Sequence, residues 1–176
     1  MTERIIFAGA GGQGIMLVAK VLAQAAMEDN KFVTWLPSYG AEVRGGASRC
    51  IVVISDKKIS SPYINSADSF IAMNQPSLRK YFPLLREAGI LVLNTSLAEP
   101  PAKTKKFYLV KIAATDIAIK LGNIKVANIV ALGAYLAKKK IINKQALINV
   151  MFDMSKGISR ELFEINKKAF EEGFNG

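Results

Sequence analysis

"IIFAGAGGQGIM", residues 5–16, is the stretch on which the fold turns. The apolar run Ile5-Ile6-Phe7-Ala8 reads as a buried strand over 3–8. Gly9-Ala10-Gly11-Gly12-Gln13-Gly14 fits the spacing G-x-G-x-x-G. A helix-like stretch follows over 13–28, with Ile15, Val18, Ala19, Leu22 and Ala26 near helical spacing. Glycines at such a turn permit positive φ and let backbone N–H groups approach an anion. The positive end of the helix dipole acts in the same direction. A phosphate or a carboxylate is the natural guest; a turn that only packs helix on sheet is the plainer reading.

The dinucleotide version of this turn needs an acid about 20 positions on, at the end of the second strand, for the ribose hydroxyls. That strand, 31–36, ends in Thr34-Trp35-Leu36 before Pro37, and no acid stands there. Glu28 and Asp29 precede it. The Gly-Lys-Ser/Thr of a phosphate-binding P-loop is missing as well. A free-standing Rossmann-like nucleotide-binding protein is therefore a secondary reading, and another anion or a partner chain becomes the expected guest.

Outward from the turn, residues 3–36 read as a strand–helix–strand unit, with the glycines at its crossover. Strands follow at 47–55, 69–73, 89–94 and 107–112. Asn74-Gln75-Pro76-Ser77 opens a helix, with Asn74 or Ser77 as its cap and Pro76 in its first turn. Residues 98–105, rich in Pro and Lys, read as an exposed loop. Helices are expected at about 115–121, 125–140, 144–155 and 159–173. Strands apolar along their whole length predict a mostly parallel, Rossmann-like α/β sheet, helices on both faces and a helical C-terminal part. With no repeat, low-complexity tract or linker, residues 1–176 read as one domain.

Composition excludes several kinds of chemistry. The chain has no histidine and one cysteine, Cys50. An iron–sulfur cluster normally needs about four cysteine ligands, so this chain alone cannot hold one. A His/Cys zinc site and Ser–His or Cys–His catalysis are excluded in the same way. Cys50, within Cys50-Ile51-Val52-Val53-Ile54, reads as a buried small hydrophobe. Net charge is +10, with lysines scattered and not interleaved with aromatics. A solvated basic surface is the plain reading, an acidic partner or a phosphate-bearing ligand the functional one, and nucleic acid is not expected. Apolar runs fall short of the ~20 residues that span a bilayer, and no basic leader is visible, so a cytoplasmic location is expected.

"LPSYGAEVRGGASRC", residues 36–50, is a polar, glycine-rich loop after the second strand. Arg44 in it is a candidate anion clamp, since a guanidinium suits phosphate and carboxylate. The alternative is a local Glu42–Arg44 pair that shapes the loop.

Together, Gly11-Gly12-Gln13-Gly14 and Ser38-Tyr39-Gly40-Ala41-Glu42-Val43-Arg44-Gly45-Gly46 resemble the gamma subunit of 2-oxoacid:ferredoxin oxidoreductases. "IAMNQPSL" (71–78) is similar to that family's next strand-to-helix junction, and "NIVALGA" (128–134) to its late helix. Ala41-Glu42-Val43 departs from an expected Pro-Glu-Met but keeps the Glu. The combination looks most similar to the 2-oxoglutarate branch. The resemblance implies a component of a complex that oxidatively decarboxylates a 2-oxoacid to an acyl-CoA and reduces ferredoxin. Thiamine diphosphate and iron–sulfur clusters would lie on other subunits: alpha and beta thiamine-type chains and a ferredoxin-like chain. This chain would bind no cofactor alone and carry no catalytic residue. The site expected of it is an anion-accepting edge made of Gly11, Gly12, Gln13, Gly14, Tyr39 and Arg44, its guest a phosphate of CoA or a carboxylate from a partner. A pure scaffold role in the same complex is the remaining alternative.

Overall fold

The computed structural model describes residues 1–38, 47–102, 105–156 and 159–176. Six strands form one sheet in the order β2-β3-β1-β4-β5-β6. They are β1 (Thr2–Ala10), β2 (Phe32–Ser38), β3 (Ala47–Ser55), β4 (Ala67–Ala72), β5 (Leu85–Asn94) and β6 (Phe107–Ile112). The pairs β1–β4, β4–β5 and β5–β6 are parallel. β3 is antiparallel to both of its neighbours, β1 and β2. The sheet is thus mostly parallel, as its apolar strands predict.

One expectation is corrected. β1, α1 (Ile15–Glu28) and β2 do not form a unit with adjacent strands. β2 runs in the direction of β1, but β3 folds back between them, with Ala10 opposite Ala47 and Thr2 opposite Ser55. Sequence periodicity reports which residues are buried, not which strand lies beside which. Antiparallel neighbours need only a short connection, so a nine-residue strand such as β3 can return beside the strand before it.

The alternation of β1 assigns its two faces. Ile5 and Phe7 point to one side, Ile6 and Ala8 to the other, all but fully buried. The first side carries the larger core, shared with α1, α3 (Ala114–Lys120), α4 (Ala127–Lys138), α5 (Lys144–Ser155) and α6 (Arg160–Asn175). The second is covered by α2 (Gln75–Tyr81) and the short 3-10 turn Phe82–Leu84. Helices do lie on both faces, but unequally. α4 owes its central place to composition: Ala127 to Leu136 are all buried, with Gly133 at its contact with α6. A Cβ on Gly133 would meet the Phe170 carbonyl, and one on Gly173 the Val130 carbonyl, so the two backbones touch.

α1 follows β1 onto one face and α2 follows β4 onto the other. Adjacent parallel strands whose helices leave to opposite sides open a crevice at their carboxyl ends. The glycine turn sits there.

Candidate functional site

The turn begins where β1 stops at Ala10. Gly12 (φ 87°) and Gly14 (φ 69°) both occupy the left-handed region, which strains any residue with a Cβ. Gly14 caps α1, with no side chain capping the helix and no acid in its first turn. The positive end of α1 at the carboxyl edge thus meets no acid in the helix's own first turn. Gly11 and Gly12 are exposed, and a Cβ on Gly12 would meet nothing.

Gln13 looks inward. Its Oε1 accepts from the Ala10 N–H (2.6 Å) and its Nε2 donates to the Met73 carbonyl (3.4 Å). It holds the turn against the end of β4. The same Met73 carbonyl accepts from Asn94 Nδ2 (3.1 Å), which also donates to Thr115 Oγ1 (2.9 Å). On the far side of the turn, Asn128 Nδ2 donates to the Gly14 carbonyl (3.0 Å). A Cβ on Gly14 would strike that amide. The ends of β1, β4, β5 and α4 are thereby tied to one turn by side-chain amides.

Beside the turn lies a cavity of about 130 Å³. Gly12, Gln13, Met73 and Thr115 line it, with Lys125 and the exposed Leu97 and Ile124 at its border. Helix N–H groups, one ammonium and apolar wall suit a guest that is part anion, part hydrocarbon.

Of the residues singled out from sequence, Gly11, Gly12, Gln13 and Gly14 are brought together at the carboxyl edge. Tyr39 and Arg44 lie outside the described residues. The described residues that flank them in sequence, Ser38 and Ala47, stand at this edge, Ser38 paired with Arg49 and Ala47 with Ala10. Asn94, Thr115, Asn128 and Lys125 were not found from sequence. Three are short polar groups between apolar runs, a pattern that cues a helix end equally well.

Beside the end of β1 on the β2 side stand Ala47, Ser48 and Arg49 of β3. Where a dinucleotide site needs a carboxylate, the described neighbours are small or cationic. The Cys50 thiol is fully buried, and burial pushes its pKa up to about 12, so it stays protonated and unreactive. Among the described residues no group of three or more Cys, Asp or Glu is placed to hold a metal ion. No helix among them is long and apolar enough to cross a membrane.

Residues 4–176 match the family described as pyruvate ferredoxin/flavodoxin oxidoreductase. The 2-oxoglutarate synthase subunit KorC of Methanocaldococcus jannaschii is 33% identical over 181 aligned positions, covering 99% of this chain and 93% of that one. The ketoisovalerate oxidoreductase subunit VorA of Methanothermobacter marburgensis is 38% identical over 134 residues, 76% of this chain. The aligned part is only 28% of that relative's length. Among solved structures, the gamma subunit of a keto/oxoacid ferredoxin oxidoreductase from Geobacter sulfurreducens superposes with a TM-score of 0.82 at 33% identity, covering 98% and 96% of the two chains. The 2-oxoglutarate:ferredoxin oxidoreductase of Magnetococcus marinus, solved with 2-oxoglutarate, coenzyme A and succinyl-CoA bound, shares the fold. Its TM-score is 0.90 at 24% identity, over 98% of this chain and 30% of that one. With its own glycine turn and sheet matched from end to end, the chain belongs to the pyruvate ferredoxin/flavodoxin oxidoreductase family.

Proposed function

We propose that this chain is the gamma-type component of a 2-oxoacid:ferredoxin oxidoreductase of the 2-oxoglutarate branch. The complex would convert the 2-oxoacid and CoA to an acyl-CoA and carbon dioxide, passing two electrons to ferredoxin. The observation that carries this reading is the end-to-end match with a 2-oxoglutarate synthase subunit of the same length class.

Thiamine diphosphate and iron–sulfur clusters belong, in this reading, to alpha and beta thiamine-type subunits and a ferredoxin-like subunit in the cytoplasm. The donor set here does not fit a cluster, with one buried thiol and no imidazole. The chain's own part is binding. At the carboxyl edge, Gly11, Gly12 and Gly14 offer the backbone N–H groups of the turn, which Gln13 holds in place. Tyr39 and Arg44, between Ser38 and Ala47 in sequence, are proposed to complete the edge. The guest is a phosphate of CoA, held between this chain and its partner; a partner carboxylate is the rival guest. Lys125 adds charge beside the turn, and Leu97 with Ile124 offers apolar wall.

Co-expression with the thiamine-type and ferredoxin-like chains tests assembly and activity together. Stable co-purification, and 2-oxoglutarate- and CoA-dependent ferredoxin reduction that is lost when this chain is left out, is the expected result. A chain that stays monomeric beside its partners, or that reduces ferredoxin alone, contradicts the proposal.

A further inference from the structure

In the outer helical layer, α4 ends, α5 begins and α6 ends at one place, and a small groove opens between them. Its volume is about 170 Å³, and Leu136, Lys140, Ile142, Lys144, Phe170 and Phe174 line it. Leu136 and Phe170 are buried; Ile142 and Phe174 are half-buried. The two rings stand 5.5 Å apart between centroids. α4 and α5 have 12 residues each. The start of α4, which holds the glycine turn, and the end of α5 are therefore each about 18 Å away.

Both charges on the groove are positive. Lys144 Nζ lies 4.8 Å from the Phe174 ring centroid and 5.5 Å from that of Phe170, so the rings seat the ammonium. Lys140 is exposed. Neither forms an ion pair among the described residues. No acid lines the groove. Lys139 is engaged elsewhere, by Glu3, and Asp29, which accepts from the Asn143 N–H at 3.1 Å, is not among the lining residues. α5 carries no acid in its first turn, so the positive end of its dipole acts in the same direction. Size sets the class of guest. Cofactor and drug-sized ligands need roughly 300–1,000 Å³, whereas an apolar cavity of about 150 Å³ takes one benzene ring. This groove accommodates a single bulky apolar side chain. Carboxylates beside that side chain would meet Lys140 and Lys144. A chain of net charge +10 also draws an acidic partner from a distance.

We infer that this groove is a docking site for an acidic segment of a partner protein. The segment inserts one bulky apolar side chain against Leu136, Phe170 and Phe174 and sets its flanking carboxylates on Lys140 and Lys144. The inference rests on the reading of this chain as one subunit among several, and not on the CoA reading of the glycine turn. Its test uses the chain alone, so its failure is distinguishable from a failure to assemble.

The test is a titration of the full-length ¹⁵N-labelled chain at low salt with the blocked peptide Asp-Glu-Phe-Glu-Asp, following the backbone N–H resonances of Lys140, Ile142, Lys144 and Phe174. A saturable shift is expected. Replacing the Phe of the peptide by Ala should weaken binding about tenfold or more. The uncharged peptide Asn-Gln-Phe-Gln-Asn should bind about fivefold more weakly or less well still. A chain carrying both Lys140→Gln and Lys144→Gln should lose about as much. One carrying Lys57→Gln and Lys58→Gln, which removes the same charge from the turn after β3, should bind like wild type. Should the Lys140 and Lys144 variant fail to fold, the three peptides on the wild-type chain decide. No saturable shift at millimolar peptide overturns the proposal. So does binding that is indifferent to the Phe or to the carboxylates, or that falls equally in the Lys57 and Lys58 variant.

Discussion

The two ends of the sheet treat their polar groups in opposite ways. At the amino end, Glu3 is buried, but it accepts from Ser69 Oγ (2.6 Å), Tyr135 Oη (3.3 Å) and Lys139 Nζ (2.9 Å). On the other face, Asp68 accepts from the Arg4 backbone N–H (2.8 Å), the Arg4 guanidinium (3.3 Å) and Arg86 Nε (2.6 Å). At the carboxyl end, α1 carries no acid in its first turn, and among the described residues Lys125 forms no ion pair and Arg49 Nε has no acceptor. Among the described residues, one end is a closed electrostatic latch, and the other leaves a cation and N–H groups with no acid paired to them. Folding alone would favour closing both, since unpaired buried donors destabilise. The asymmetry is what the proposed anion-accepting edge requires.

α4 spans both: Asn128 near its start holds Gly14, and Tyr135 near its end reaches Glu3. The largest effect is accordingly expected from prying α4 loose. Gly173→Ala forces a methyl against the Val130 carbonyl, backbone against which no side chain can yield. A loss of about 3 kcal/mol is expected, the upper range for overpacking. Urea unfolding checks it, and a midpoint like wild type would mean that the helices separate freely.

Glu3→Gln opens the latch without touching the other end. It removes the charge that Lys139 pairs with and should lower stability by about 2 kcal/mol, measured by the same unfolding. Burial, with the Glu3 charge adding to it, holds the Tyr135 hydroxyl far above its ordinary range, so it stays a donor throughout. Anion binding at the carboxyl edge should be unchanged; a parallel loss there would show that the ends are coupled through α4.

Gly12→Ala perturbs only the carboxyl end. The added methyl meets nothing, so the cost is that of a left-handed alanine, about 1 kcal/mol. A thermal shift of a few degrees is expected, whereas no shift would indicate that the turn relaxes.

The smallest effect concerns the exposed rim of the latch. Asp56 accepts from Lys31 (2.7 Å) and from the amino terminus (2.5 Å), and these bonds lower its pKa from 3.8 to about 2. Its contribution is therefore complete above pH 3.8 and lost as pH falls towards 2. Asp56→Asn should flatten the melting temperature against pH in that window, and only at low salt. Identical curves would remove Asp56 from the latch.

Much of this was legible in the residues. The all-apolar strands announce a covered, mostly parallel sheet, and the glycine spacing places the first crossover. Asn74 and Pro76 read correctly as the start of α2: Asn74 Oδ1 accepts from the Ser77 N–H at 3.0 Å. Cys50 is the buried hydrophobe that its neighbours suggest. What could not be read was lateral order. An antiparallel β3 has the same apolar pattern as a parallel strand buried on both faces. The strand ends also extend beyond their apolar cores, as in β5, whose span takes in Arg86 and Glu87, residues with no strand signal that lie at a register shift against β4. Gln13 appeared as a member of a ligand-facing motif, yet its amide is occupied by Ala10 and Met73, contacts that exist only once β1 and β4 are side by side. Arg49 was overlooked because one cation at a strand end looks like a solvated terminus. Its guanidinium lies over the ring of Tyr81, 32 residues away in sequence.

The central claim is that the carboxyl edge accepts a phosphate of CoA. Arg44→Ala in the assembled oxidoreductase tests it most directly, by steady-state kinetics with CoA and 2-oxoglutarate varied in turn. A lost charge-assisted bond is worth about 1.5–3 kcal/mol, so the KM for CoA should rise roughly 10- to 150-fold. The KM for 2-oxoglutarate should stay within about twofold, a smaller change than losing even one neutral bond would cause. CoA kinetics left unchanged, with a complex that falls apart on dilution, would contradict the account and assign Arg44 to a partner carboxylate.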